Sequence, residues 1–184
     1  MGLEELLEKI RGLSSSASYK PHRYVLLLAV LELVDSQKAD NRFYFNETLK
    51  AQFSKYLRIY GAEGDSDRLH TPFFHLRSSG LWYLQPKPGR EDALSNLTSV
   101  GGPKEIAENV DFAFLSDEAY GLFANREAAA KIREQLVSIL RTRGADRDSV
   151  EHGRTDGIIG SLFAHERNAI QDISDGVGAH AVCR

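Results

Sequence analysis

Two short segments hold the residue types that could grip an anion. The first is Lys20-Pro21-His22-Arg23, directly ahead of the apolar run Tyr24-Val25-Leu26-Leu27-Leu28-Ala29-Val30-Leu31. At a helix start the backbone N–H groups of the first turn have no partner within the helix. They also sit at the positive end of its dipole, which favours a phosphate. Arg23 adds a planar, permanently charged fork suited to a phosphate or a guanine edge, and His22 a second donor. The plainer reading is that Lys20 and Arg23 are solvated residues flanking a core helix, and this segment alone does not separate the two.

The second segment is Leu69-His70-Thr71-Pro72-Phe73-Phe74-His75-Leu76-Arg77, followed by Ser78-Ser79-Gly80-Leu81-Trp82. Pro72 has no N–H to donate, and with Phe73 and Phe74 it makes a rigid, donor-poor apolar surface. Such surfaces usually belong to a core. Here no helix or strand period runs through the segment, and His70, His75 and Arg77 bracket it. An apolar patch with a basic rim would select a soft, weakly hydrated anion.

Periodicity supplies the elements that must position these segments. Leu3, Leu6, Leu7 and Ile10 predict a short amphipathic helix ending near Gly12, with Ser14 to Ser16 as a loop. Pro21 opens a helix to about Ser36, apolar on nearly every face and therefore central to the core. Arg42 to Phe45 reads as a strand or extended arm. Asn46 caps a helix to about Tyr60, ended by Gly61. Glu63 to Asp67 is a loop. Leu81 to Leu84 reads as a strand stopped by Pro86 and Pro88, and a weak helix spans Pro103 to Glu108. Alternation of Val110, Phe112 and Phe114 predicts another strand. Ser116 to Ala124 follows as a short helix, and Asn125 caps one that buries Ile132, Leu136, Ile139 and Leu140 and ends at Gly144. The expected fold class is mainly α (α+β): a helical domain, residues 1–143, with a central buried helix and a small antiparallel sheet. Residues 144–184 are expected to form a polar tail, a linker or a weakly helical extension.

With 184 residues the chain is long enough for one well-buried core. No stretch approaches the roughly 18 apolar residues of a membrane span. The run from Tyr24 is also too short and too far along the chain for a signal peptide, so a cytoplasmic protein is expected. A single cysteine, Cys183, excludes an internal disulfide and a multi-cysteine zinc site. The net charge of −3 argues against a protein that simply coats nucleic acid. It is unevenly spread: residues 1–90 carry 13 Lys and Arg against 10 Asp and Glu, and residues 91–184 carry 10 against 16. A basic front half suits a localised DNA face.

Pro-His-Arg before a leucine-rich helix, then Pro-Phe-Phe-His-Leu-Arg-Ser-Ser-Gly-Leu-Trp, resembles the sulfur-binding domains of phosphorothioate-dependent type IV restriction endonucleases. More broadly it resembles the N-terminal region of bacterial HNH endonucleases. The likeness runs from Tyr19 to Arg143, carried by two motifs in order and about 50 residues apart. It implies a DNA-binding module of bacterial defence, in which Lys20, His22, Arg23 and Arg77 contact the DNA. Thr71, Pro72, Phe73, Phe74 and His75 would form the pocket for sulfur. Thr71 stands where the family often has Tyr, Phe74 where it has Trp, and His75 where it has a small or basic side chain. These departures bear on sulfur selectivity more than on DNA binding.

The implied chemistry is coherent. Sulfur in place of a non-bridging phosphate oxygen is larger, more polarisable and less strongly hydrated. An ordinary oxygen buried against Pro72 would be a charged acceptor without donors, which is costly, whereas sulfur gains dispersion contacts. Discrimination then comes from penalising oxygen as much as from attracting sulfur. Lys20, Arg42, Lys50, Lys55 and Arg77 are candidate phosphate contacts, giving affinity that is independent of sequence and sensitive to salt.

No catalytic residue, metal site or cofactor is assigned. The family's usual nuclease partner has an HNH motif, and nothing after Gly144 matches one. His165-Glu166-Arg167-Asn168 begins like a zincin motif, but Ala169 stands where the second His is required. His180 and Cys183 are too few for zinc, and Asp146, Asp148, Glu151 and Asp156 read as a solvated loop. Three readings stay open: a reader of phosphorothioate double-stranded DNA, alone or with a nuclease partner; a metal-dependent nuclease; and an assembly domain forming a homodimer through its terminal helices.

Overall fold

The computed structural model describes residues 1–142 apart from 14–20, 38–39 and 63. Lys20, the expected tail and the carboxylate, histidine and cysteine candidates beyond residue 142 lie outside the described residues.

Helix α1 (Leu3–Arg11) buries Leu6, Leu7 and Ile10 and ends at Gly12. Helix α2 (His22–Asp35) is the centre of the molecule, because every residue from Tyr24 to Leu31 is fully enclosed. At about 1.5–3 kcal/mol for each large apolar side chain, that burial outweighs any local propensity in the segment. Helix α3 (Glu47–Tyr60) starts where the Asn46 side chain accepts from the Leu49 amide at 3.1 Å, and it buries Leu49, Phe53, Tyr56 and Leu57 against α2.

The apolar segment at 69–79 is not a loop. It forms a short helix, α4 (His70–His75), running into a 3-10 turn (Leu76–Ser79). Pro72 is tolerated because it lies in the first turn, where an amide has no partner within the helix. Gly80, at φ +68°, takes the left-handed conformation that ends the turn and feeds strand β1 (Trp82–Pro86). After α5 (Glu91–Asn96) and α6 (Pro103–Asn109), strand β2 (Val110–Leu115) pairs antiparallel with β1, with Trp82 opposite Leu115 and Tyr83 opposite Phe114. The register shifts between Gln85 and Pro86, so Pro86 occupies an irregular site rather than stopping the strand short of it. Helices α7 (Asp117–Ala124) and α8 (residues 126–142) complete the described chain, and Asn125 caps α8 through the amides of Glu127 and Ala128. The mainly helical fold with a two-stranded antiparallel sheet is as expected.

The arm before α3 adds a partial third strand. Phe43 forms a bridge to Ala113, and the Asn41 side-chain amide bonds both backbone groups of Leu115, at 2.8 and 2.9 Å. The inner face of this sheet buries Phe43, Trp82, Ala113 and Leu115. Its outer face carries the aromatic half of the alternation. Tyr83 stacks on Phe114 at 5.4 Å, Phe112 lies 6.2 Å from Phe114, and Tyr44 lies 6.0 Å from Phe112. On the other side of α2, Glu32 accepts from Tyr56 Oη at 2.9 Å and pairs with Arg133 at 3.4 Å and Lys55 at 3.9 Å, tying α2 to α3 and α8.

Candidate nucleic-acid interface

The two motifs of the sequence lie on elements that pack together: the first opens α2 and the second forms α4. Helix α4 packs across α2, and partial burial, then the charges of Arg23 and Arg77, hold the His75 imidazole below its ordinary pKa of 6.5. Arg23 and His75, 52 positions apart in the sequence, therefore share one electrostatic environment. Thr71 and His75 are four residues apart on α4 and lie on the same side of it, with Thr71 exposed and His75 half-buried.

Arg23 and His22 are each held by a remote backbone oxygen. Arg23 Nη1 donates to the Leu13 carbonyl, just past the end of α1, at 2.9 Å. That contact fixes the guanidinium and takes up one of its five N–H donors. His22 Nε2 donates to the Ser66 carbonyl at 3.0 Å, so the imidazole anchors the 64–69 segment to the start of α2. Among the described residues no side chain caps α2, whose N-cap is the buried Pro21.

Three expected roles change. Phe73 and Phe74 have no exposed surface, so they support the candidate pocket from beneath rather than line it. Phe73 sits edge-on between Phe45 at 5.2 Å and Trp82 at 5.5 Å, and its carbonyl accepts from Trp82 Nε1 at 2.8 Å. These neighbours claim its ring for the core. Arg77 is also engaged. Its guanidinium lies 3.9 Å from the Phe74 ring centre and donates to the carbonyls of Leu94 and Leu97 at the end of α5. Its main work is to hold the 3-10 turn against α5, with its charge still felt at His75. Lys55 is drawn to Glu32, and Arg42 lies 5.1 Å over the Phe112 ring on the outer sheet face. Lys50 is exposed.

Arg68 is a further basic residue beside α4, without any signal in the sequence pattern. It is exposed just ahead of α4, and after partial burial its charge helps lower the pKa of His70. Thr71 is exposed, Arg23, His70 and His75 are half-buried, and Pro72 is buried. Among the described residues no group of His, Cys, Asp and Glu could hold a metal, and no helix is long and apolar enough to cross a membrane.

Comparison with known proteins gives a consistent picture. The family model described as ScoMcrA-like, DNA sulfur-binding domain matches residues 2–144. Two solved structures share the fold. The sulfur-binding domain of ScoMcrA complexed with phosphorothioated DNA is 20% identical, with a TM-score of 0.55 over 74% of this chain and 87% of that one. The sulfur-binding domain of SprMcrA complexed with phosphorothioated DNA is 19% identical, with a TM-score of 0.52 over 75% of this chain and 85% of that one. A comparison with curated proteins found no match.

Proposed function

This chain belongs to the ScoMcrA-like DNA sulfur-binding domain family, and from that membership we propose that residues 1–143 bind double-stranded DNA carrying a phosphorothioate. The observation that supports the reading is the packing of α4, which carries Thr71, Pro72 and His75, against α2, which opens with His22 and Arg23. A backbone phosphorothioate seated there meets the Arg23 guanidinium on its charged side. Its sulfur faces the donor-free ring of Pro72 between Thr71 and His75. An ordinary oxygen at that position would lose its water without gaining a donor from Pro72, and this asymmetry is the source of selectivity. His22 serves through Ser66, by holding the 64–69 segment to the start of α2. The module works in the cytoplasm and supplies recognition, while a nuclease partner would supply cleavage.

The test is a binding titration with two otherwise identical short duplexes, one with a single Rp phosphorothioate and one unmodified, near physiological salt. Tighter binding of the sulfur duplex by tenfold or more, about 1.4 kcal/mol, lost in both Arg23→Ala and Pro72→Ala, establishes the reader. Equal binding of both duplexes would leave a general DNA-binding domain. Binding of neither would sink the reading and favour the assembly role.

A further inference from the structure

Resting on that reading, we propose that Arg68 is a further DNA-contacting residue, a phosphate-binding arm that His22 presents by clamping the 64–69 segment to the start of α2. Hydrogen bonds place Arg68 between the two motifs. The Ser66 carbonyl accepts twice, from His22 Nε2 at 3.0 Å and from the Arg68 amide at 2.7 Å. The Arg68 carbonyl in turn accepts from the Thr71 amide at 3.2 Å. Arg68 is thus one shared acceptor away from the first residue of α2, and it is bonded directly to the second residue of α4.

The charges of the segment are sorted. Both of its carboxylates are engaged at α3 or just beyond its end: Asp67 accepts from Ser54 Oγ at 2.6 Å, and Asp65 from the Ala62 amide at 2.8 Å. These two carboxylates line a cavity together with Arg58, and Arg68 is not part of its wall. Arg68 itself is exposed, and no acceptor among the described residues engages its guanidinium. Its backbone is bonded on both sides, so an arriving phosphate has only the side chain left to order. The planar fork can then give two parallel charge-assisted bonds to one phosphate. Such a contact is made to the backbone of the duplex, so it adds affinity and register without reading base or sulfur. Because His22 Nε2 is engaged by Ser66, the histidine of the first motif is a positioning residue in this chain, acting through the segment that carries Arg68.

The experiment titrates the unmodified and Rp phosphorothioate duplexes at several salt concentrations. Arg68→Ala should weaken both by about fivefold and make the plot of log affinity against log salt shallower by about 0.9. The sulfur preference should stay within about twofold of wild type. Arg68→Lys, which keeps the charge, should retain the wild-type slope. Arg126→Ala should change neither affinity nor slope. That arginine is exposed and lines a cavity with Asp35 at the far end of α2, about 20 Å along the 14-residue helix from His22. His22→Ala tests the clamp: combined with Arg68→Ala, its loss of affinity should be less than additive, because a released segment no longer presents the guanidinium. An unchanged slope in Arg68→Ala, or an equal effect of Arg126→Ala, would overturn the contact, and additive losses would overturn the clamp. Equal affinity for the two duplexes with the slope change intact would instead overturn the sulfur reading beneath it, and no binding by the wild-type chain would overturn both.

Discussion

At the residue scale, the candidate site is built from side chains that stay accessible at one end and are already anchored at the other. Arg23 is the clearest case, because the Leu13 carbonyl fixes its fork before any ligand arrives. Arg23→Ala should weaken binding of both duplexes. If the guanidinium meets phosphate, the substitution should also make the plot of log affinity against log salt shallower by about 0.9. Asn41 is its structural counterpart, since it replaces a strand residue by bonding both backbone groups of Leu115. Asn41→Ala leaves two half-buried backbone groups unpaired and should cost about 1–3 kcal/mol in urea unfolding. DNA selectivity should stay intact, because both bonds of Asn41 are made to the backbone of β2.

At the element scale, helix α4 shows how far spacing alone can be read. The Asn46 and Asn125 caps, the all-round apolar α2 and the alternation along β2 are local signals, and each predicts its element. Helix α4 escapes such signals for a physical reason. It is under two turns long, and its buried residues Pro72, Phe73 and Phe74 are consecutive, so no 3.6-residue repeat can develop. Helix α5 escapes similarly, because Leu94 is its one buried residue. The motifs that point to the site are legible as residue types. Their fixings are not, since Leu13, Ser66, Leu94 and Leu97 contribute only carbonyls, which leave no mark on side-chain pattern. Arg77 is the instructive case: a basic residue on the rim in sequence, it also braces α5 in space. Arg77→Met should therefore lower the melting temperature by several degrees, consistent with about 1–3 kcal/mol for removing a charged hydrogen-bond donor. Sulfur preference should remain within about twofold of wild type, because the partners of the Arg77 guanidinium belong to α5 and to the Phe74 ring.

At the scale of the whole molecule, stability should depend on pH in two stages. His70 and His75 have folded-state pKa values below 6.5, from burial first and neighbouring arginines second. The unfolded chain then binds more protons than the folded one as pH falls through 6.5. The stabilisation these groups give is present above that value and lost below it. Glu32 adds a second stage. Burial works to raise its pKa, but the Tyr56 hydroxyl, Lys55 and Arg133 together hold it below 4.5. Its contribution is thus present above pH 4.5 and lost as the carboxylate protonates. Urea midpoints measured at about pH 7.5, 5.5 and 4 should fall at each step, and the first fall should be smaller in His75→Gln. A flat midpoint between the two higher values would show that these histidines titrate alike in both states.

One buried indole gives this molecule its own optical reporter. Trp82 is the chain's single tryptophan, it is fully enclosed, and its N–H is bonded to the residue that follows Pro72. Its emission should be blue-shifted in the native state and move to the red on unfolding, free of interference from any second indole. Because the indole is bonded to Phe73 of α4, a ligand that shifts α4 should change the intensity of that same signal. Unlabelled protein and unlabelled DNA would then suffice to follow both folding and loading in one cuvette.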